Sequence, residues 1–234
     1  MIGFLTNKIY GLIWKYIPWS LERIVAKQLT EYADVLDLGC ADGAFVERLK
    51  QLKVNGYFVG IDIHKPYVQA ARRRGVYNWV DIADIRTLSG QEQYDAVMCI
   101  MVIEHLEKNL KYEAQISSMA RHKVILTTSN GFVFNPHNDA PTQEHLSGYS
   151  AKEFRELGYV VYGWGASRYF FGKAYKDNRI HPWIRPLFSF VFLMLTPLVY
   201  RRPELADHLV CIKNKYPEIK GWKFTTGSSA YIKI

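Results

Sequence analysis

Val35-Leu36-Asp37-Leu38-Gly39-Cys40-Ala41-Asp42-Gly43-Ala44-Phe45 is an apolar run that carries one acid, turns through two glycines and enters a helix at Ala44. A strand, a glycine turn and a helix N-terminus together favour an anion, because unpaired main-chain N–H groups point at the ligand. The glycines are spaced Gly-x-x-x-Gly, with Ala41 and Ala44 where a dinucleotide fingerprint places its later glycines. Those glycines let a backbone approach a pyrophosphate. Their absence predicts a ligand with a smaller charged end and argues against a dehydrogenase.

Downstream the chain alternates apolar runs with helical patterns. Phe45, Val46, Leu49 and Leu52 give one helix face, and Tyr57 to Ile61 is a second strand ending at Asp62. Lys65 and Pro66 open a helix that runs through Arg74 and stops at Gly75. Val76 to Val80 is a third strand ending at Asp81, and Ala96 to Val102 a fourth, followed by a helix from Glu104 to about Ala120. Val124 to Thr128 forms a fifth strand running into the polar turn Ser129-Asn130-Gly131. Ser150-Ala151-Lys152-Glu153 is a capping box, with Gly158 closing its helix. Tyr159 to Trp164 and His208 to Lys213 read as strands six and seven. This repetition predicts an α/β fold, a parallel sheet with helices on both faces.

Upstream, residues 1–30 read as two short amphipathic helices that cover the domain. Ile9, Leu12, Ile13, Tyr16 and Ile17 share one face until Pro18; Ser20 then caps a second, with Leu21, Ile24, Val25 and Leu29 inward. Phe4, Tyr10, Trp14, Tyr16 and Trp19 give this end an aromatic load that also suits a substrate cover or a membrane interface. Residues 31–213 form the main domain, with an apolar insertion at about 166–206. Its run from Leu187 to Tyr200, flanked by Arg185 and by Arg201-Arg202, is too short for a bilayer-spanning helix and is broken by Pro197. A buried helix, a lid, a homodimer contact or an interfacial segment all satisfy it. Residues 214–234 are a basic, aromatic tail.

The chain has 234 residues, enough for one sizeable α/β domain, and 49% hydrophobic with 22% charged residues places it among folded proteins. A net charge of +8 favours acidic partners: anionic lipid surfaces, phosphorylated substrates or nucleic acid. Cys40, Cys99 and Cys211 are far apart, odd in number and without metal-ligand spacing, so they read as reduced, buried thiols of a cytoplasmic protein with no assigned metal.

Three acids stand at the carboxyl ends of the first three strands: Asp37, Asp62 and Asp81. The ligand crevice of a doubly wound sheet lies outside those ends, and Asp62, about twenty residues beyond the glycine turn, suits ribose hydroxyls. Asp81 is placed for an exocyclic amine, with the Ile82 N–H facing a ring nitrogen. The pattern describes a nucleoside with a small charged extension.

In this order Leu-Asp-Leu-Gly-Cys-Ala-Asp-Gly, Gly-Ile-Asp-Ile, Val-Asp-Ile and Tyr94-Asp95-Ala96-Val97, the last running into Ile103-Glu104-His105-Leu106, resemble a class I S-adenosylmethionine-dependent methyltransferase of the small-molecule "type 11" group. The resemblance covers roughly residues 33–165. It implies a Rossmann-like seven-stranded sheet ordered 3-2-1-4-5-7-6 with the last strand antiparallel. Gly39, Cys40, Ala41, Asp42 and Gly43 should then line the methionine part of the cofactor, with Asp37 near its ammonium group. Asp62, beside Ile63, should hold the ribose, Asp81 and Ile82 the adenine, and Cys99 with Ile100 the methionine end. The insertion before strand seven departs from the family, which usually joins strands six and seven by a tight hairpin.

A sulfonium methyl is already activated, so the protein mainly aligns the incoming nucleophile, and an oxygen nucleophile also gains from a base. His105, in the Glu-His pair, His145 in the loop that roofs the site, and His137 are the candidates; Glu104 reads as a group that fixes the loop. Asn135-Pro136-His137-Asn138 is similar to the loop of adenine amino methyltransferases but follows the wrong strand. The expected acceptor is a hydrophobic or lipid-linked small molecule. An RNA or protein methyltransferase, or a non-catalytic cofactor-binding subunit, are the alternatives. Nucleic acid is disfavoured because the aromatics are not grouped as stacking platforms.

Overall fold

The computed structural model describes residues 14–29, 34–88, 94–133, 143–166, 191 and 194–215, with the backbone of 222–224 and 231–233. In chain order the strands are β1 (Asp34–Leu38), β2 (Tyr57–Asp62), β3 (Trp79–Ile82), β4 (Tyr94–Ile100), β5 (Ala120–Ser129), β6 (Val160–Trp164), β7 (His208–Asn214), β8 (Trp222–Phe224) and β9 (Tyr231–Lys233). The described α-helices are α1 (Leu21–Leu29), α2 (Ala44–Gln51), α3 (Lys65–Arg74), α4 (Leu110–Met119), α5 (Ala151–Glu156) and α6 (Thr196–Tyr200). Seven strands form one sheet in the order β3-β2-β1-β4-β5-β7-β6, and β8 pairs with β9 in the basic tail. Strands β1 to β5 run parallel to one another; β7 is antiparallel to both β5 and β6. The Rossmann-like order expected from the resemblance is the one found.

Successive strand residues face opposite sides, and the apolar runs exploit this to build two layers. Leu36, Leu38, Val97, Cys99, Val124, Leu126, Leu209 and Cys211 enter one core cluster. Val35, Ala96, Met98, Ile125, Val210 and Ile212 enter the other. Helix α1 places Leu21, Ile24, Val25 and Leu29 in this second cluster, so the second N-terminal helix belongs to the core of the domain. The first N-terminal helix, with Phe4 and Tyr10, lies mostly outside the described residues. Trp14 is buried and Tyr16 exposed, while Trp19 rests on Tyr200 with ring centroids 5.3 Å apart.

The capping signals are realised as read. Ser150 accepts from the Glu153 N–H while the Glu153 carboxylate accepts from the Ser150 N–H. Gly75 closes α3 at φ +68°.

Two local expectations are corrected. The third strand is Trp79–Ile82, three residues later than Val76, because Tyr77 is drawn inward onto Asp37. No helix starts at Glu104: Ile103–His105 is a single 3-10 turn, and α4 begins at Leu110 behind Asn109, whose side chain accepts from the Lys111 N–H.

Of the apolar insertion, the described C-terminal part packs onto the sheet edge. Val199 and Ala206 are buried with Ala166, the Thr196 hydroxyl accepts from the Gly165 N–H at 3.2 Å, and Tyr200 stacks on Tyr162 at 4.5 Å. Asn130, in the turn after β5, donates to the carbonyls of Pro203 and Ala206. Helix α6 thus buries one side, with Thr196 and Val199 inward and Leu198 exposed. Among the described residues no helix is long and apolar enough to cross a membrane.

Candidate functional site

The turn after β1 is held open by its own main chain. Gly39 (φ +81°) and Cys40 both donate to the Ile61 carbonyl, at 2.7 and 2.9 Å, which ties the exit of β1 to the exit of β2. Ala41 (φ +45°) donates to Asp62 Oδ2 at 2.9 Å, and Gly43 (φ +81°) then turns the chain into α2. Gly39 must be glycine twice over. Its φ lies where side chains are strained, and a Cβ there would stand 2.3 Å from Val102 Cγ2. Val102 thus closes over the glycine turn from the exit of β4.

Asp37 is buried at the floor of this turn and accepts a 2.5 Å hydrogen bond from the Tyr77 hydroxyl. Burial pushes its carboxyl up to about 7, with Asp62 adding to the rise and the Tyr77 hydrogen bond opposing it. Asp62 accepts from Ala41 N on one oxygen and from His64 N, at 2.8 Å, on the other. Each carboxylate oxygen has two acceptor sites, so both retain capacity for a vicinal diol. Asp81 is exposed beside Ile82, and Ile63 and Ile82 are themselves exposed, giving an apolar edge around the acid.

Several sequence assignments change at the level of atoms. The Asp42 carboxylate accepts from the Ala44 N–H at 3.1 Å and from Arg74 at 2.6 Å, so it braces the loop. Arg74 also binds the Asp42 carbonyl and Glu47, locking α3 to the turn. The Cys40 thiol is buried against Val68, Ala71 and Val80, and the Cys99 thiol lies in the main core, so only their main chains can face a ligand. Burial raises both thiols well above their usual range. Ile100 is half-buried against the core. The Ile82 N–H donates to Asp81 Oδ1 at 2.8 Å and must exchange that partner to meet a ring nitrogen. Tyr77 and Arg74 are the functional residues that sequence reasoning missed; they lie 40 and 32 positions from their carboxylate partners.

The two histidines come together. Leu146 N and Ser147 N both donate to the Glu104 carbonyl, at 2.8 and 3.0 Å, and the Ser147 hydroxyl donates to the Ile103 carbonyl. These bonds lay the loop before α5 across the exit of β4 and set the His105 and His145 rings edge to face, 4.9 Å apart. His105 Nδ1 lies 3.0 Å from the Glu144 carbonyl and His145 Nδ1 2.9 Å from the Val133 carbonyl. A carbonyl only accepts, so each Nδ1 carries the proton and each lone pair resides on Nε2. Glu104 fixes the loop through its carbonyl, as expected. Neither oxygen of its buried carboxylate makes a well-formed hydrogen bond, and burial lifts it to about 7, opposed in part by its own main-chain N–H, the Thr128 hydroxyl and the Ser129 N–H. His137 and the Asn135–Asn138 segment lie outside the described residues.

Residues 35–123 match the family model described as "Methyltransferase domain". A ubiquinone biosynthesis O-methyltransferase of Rickettsia bellii is 26% identical over 132 residues, covering 52% of this chain and 54% of its own. The chain spans about half the length of the curated relatives it matches. In structure it resembles a SAM-dependent methyltransferase from Archaeoglobus fulgidus, with a TM-score of 0.52 and 18% identity over 90% of this chain and 94% of that one. Coclaurine N-methyltransferase, solved with N-methylheliamine and S-adenosylhomocysteine, gives 0.52 and 17% over 82% of this chain and 72% of its own.

The strand order is that of the methyltransferases it resembles in structure, and the glycine turn and the strand-end acids lie within the stretch that matches the methyltransferase-domain model. The residues fit the cofactor: a buried acid for its ammonium, a main-chain-braced carboxylate for its ribose, and apolar Ile63 and Ile82 beside Asp81 for its base.

Proposed function

We propose that the protein transfers a methyl group from S-adenosylmethionine to a hydroxyl oxygen of a hydrophobic small-molecule acceptor. The observation that carries the reading is the convergence of His105 and His145 just beyond Val102, the side chain that covers Gly39. The cofactor supplies an activated methyl on a sulfonium. The chain's task is to hold both partners in line and to favour loss of the acceptor proton. Phe132 and Leu146, both exposed, flank the histidine pair and offer apolar surface to an acceptor. The name of the Rickettsia relative supports an oxygen nucleophile on a quinone-like ring.

A lipid-linked acceptor is supported by a second feature. Met194, just before α6, and Leu198 within it are exposed, and exposed Arg201 and Arg202 follow directly in sequence. Apolar residues bordered by cations suit the surface of an anionic bilayer.

The test is transfer of a labelled methyl group from S-adenosylmethionine to a panel of apolar phenols and quinols, run beside bulk RNA. Label in the extracted phenols supports the proposal, and label confined to RNA overturns it. Cofactor binding with no transfer to any acceptor favours a non-catalytic subunit. Sedimentation with anionic vesicles checks the surface at α6: failure to co-pellet removes the lipid-linked part of the reading.

A further inference from the structure

We propose that Glu104, His105 and His145 form a binding site for one divalent first-row transition-metal ion. Each residue brings a ligand atom within 4.8 Å of the other two. Glu104 is 0% exposed, and neither of its carboxylate oxygens makes a well-formed hydrogen bond. A buried carboxylate is ordinarily paired or bound to a metal, because as an isolated ion it loses its hydration with nothing in return. Here the groups near it are two imidazoles, together with the Thr128 hydroxyl and the main-chain N–H groups of Glu104 and Ser129.

Those imidazoles are presented in the form a metal takes. The Glu144 and Val133 carbonyls fix both Nδ1–H groups, which places both lone pairs on Nε2. A carbonyl on the remote nitrogen is the usual outer support of a metal-bound histidine, since it sets the tautomer and the ring orientation. Two histidines and a glutamate are also the ligand set of zinc where a coordination position stays open for water or substrate. Imidazole ligands favour first-row transition ions over calcium and magnesium. The juxtaposition is built by the main chain, through the bonds of Leu146, Ser147 and the Ser147 hydroxyl to residues 103 and 104.

The role of the ion rests on the hydroxyl-acceptor reading, although the binding does not. A hydroxyl in the open position would have its pKa lowered and would release its proton to water.

The experiment is titration of chelator-treated, full-length protein with Co²⁺ followed by absorption, and with Zn²⁺ followed by calorimetry. One equivalent should bind, with the visible bands of low-coordinate Co²⁺, and Zn²⁺ should raise the thermal midpoint of the wild-type protein. Glu104→Gln and His145→Ala should each weaken binding by more than about 100-fold, because even outer-support changes cost about 10- to 100-fold. Circular dichroism and S-adenosylhomocysteine affinity verify that the variants fold. Should a variant fail to fold, the wild-type midpoint shift and spectrum decide alone. Absence of stoichiometric binding to wild-type protein, or equal binding by folded variants, overturns the site. Cofactor binding without metal binding sinks the site and spares the methyl-transfer reading; metal binding without cofactor binding does the reverse.

Discussion

Removing the Tyr77 hydroxyl should shift the pH dependence of cofactor binding to the alkaline side. A carboxylate pairs with an ammonium group only when ionised, and the Asp37 carboxyl, proposed to meet the cofactor's ammonium, sits at about 7 through burial. In the wild type about one-tenth of the carboxyl is ionised near pH 6 and about nine-tenths near pH 8, so affinity should change roughly tenfold across that interval. The Tyr77 hydroxyl donates to Asp37 at 2.5 Å and favours the ionised form. A hydrogen bond to a charged group contributes about 1.5–3 kcal/mol, equivalent to about one to two pH units. Tyr77→Phe keeps the ring, which packs near Gly43 and Gly60, and removes only that donor. Its acid limb should therefore centre at about pH 8–9, and affinity near pH 7.5 should fall nearly tenfold. Calorimetric titration with S-adenosylhomocysteine in buffers of different ionisation enthalpy separates this limb from loss of the ligand's own ammonium proton. A wild-type affinity that is flat between about pH 6 and 7.5, or a Tyr77→Phe limb that does not move alkaline, refutes the reasoning.

Without cofactor, the same carboxyl should make stability fall as pH rises. Its folded value of about 7 exceeds the ordinary 3.8, so the native state holds the extra proton between those values; the loss approaches about 4 kcal/mol, and Asp37→Asn should flatten urea-melt stability over that window. Asp62→Ala removes the acceptor for two main-chain N–H groups and for the ribose, and should weaken S-adenosylhomocysteine by about 10- to 100-fold in calorimetry; unchanged affinity would sink the cofactor assignment. Gly39→Ala should cost about 1–3 kcal/mol and most of the cofactor affinity, with partial rescue by Val102→Ala, because the new methyl group meets Val102. Gly163→Ala should lower stability by about 1–3 kcal/mol in thermal melts, since a Cβ there would stand 2.5 Å from the Val199 carbonyl and 2.6 Å from Ala206 Cβ; a neutral variant would show that α6 is not docked on β6.

Local signals carried the fold because each had a physical partner close in sequence. The capping box at Ser150 and the left-handed Gly75 are decided within a few residues, and the apolar runs alternate between Val35 on one layer and Leu36 on the other. The acids at strand ends were legible for the same reason: a parallel sheet places all its carboxyl ends on one edge. What failed depended on side chains meeting across the sheet. Nothing near Asp42 announces Arg74, and nothing near Asp37 announces Tyr77. The cysteines were assigned by position, while a strand residue's neighbour can line a crevice with its main chain and still bury its own thiol. The third strand began late because Tyr77, apolar enough to read as strand, serves the site instead.

The pairing of His105 with His145 also ties the loop before α5 to the segment that covers the glycine turn. Gly39 leaves space that Val102 fills, and two residues later the Glu104 carbonyl receives Leu146 and Ser147. One short segment from Ile100 to His105 therefore touches the glycine turn on one side and the loop before α5 on the other. Met101 within it holds φ +55°, a strained value for a side-chain-bearing residue, and is fixed there by donating to both the carbonyl and the hydroxyl of Thr127, each at 3.0 Å. A residue kept in a costly conformation by two bonds is a rigid joint. The glycine turn and the imidazole pair thus share one fixed reference, and a methyl transfer of the kind proposed would need such a fixed separation between donor and acceptor. The exposed side chains around that reference, Phe132 and Leu146, are free of this constraint. Changes of acceptor are accordingly expected to arise there, while the strand exits stay as they are.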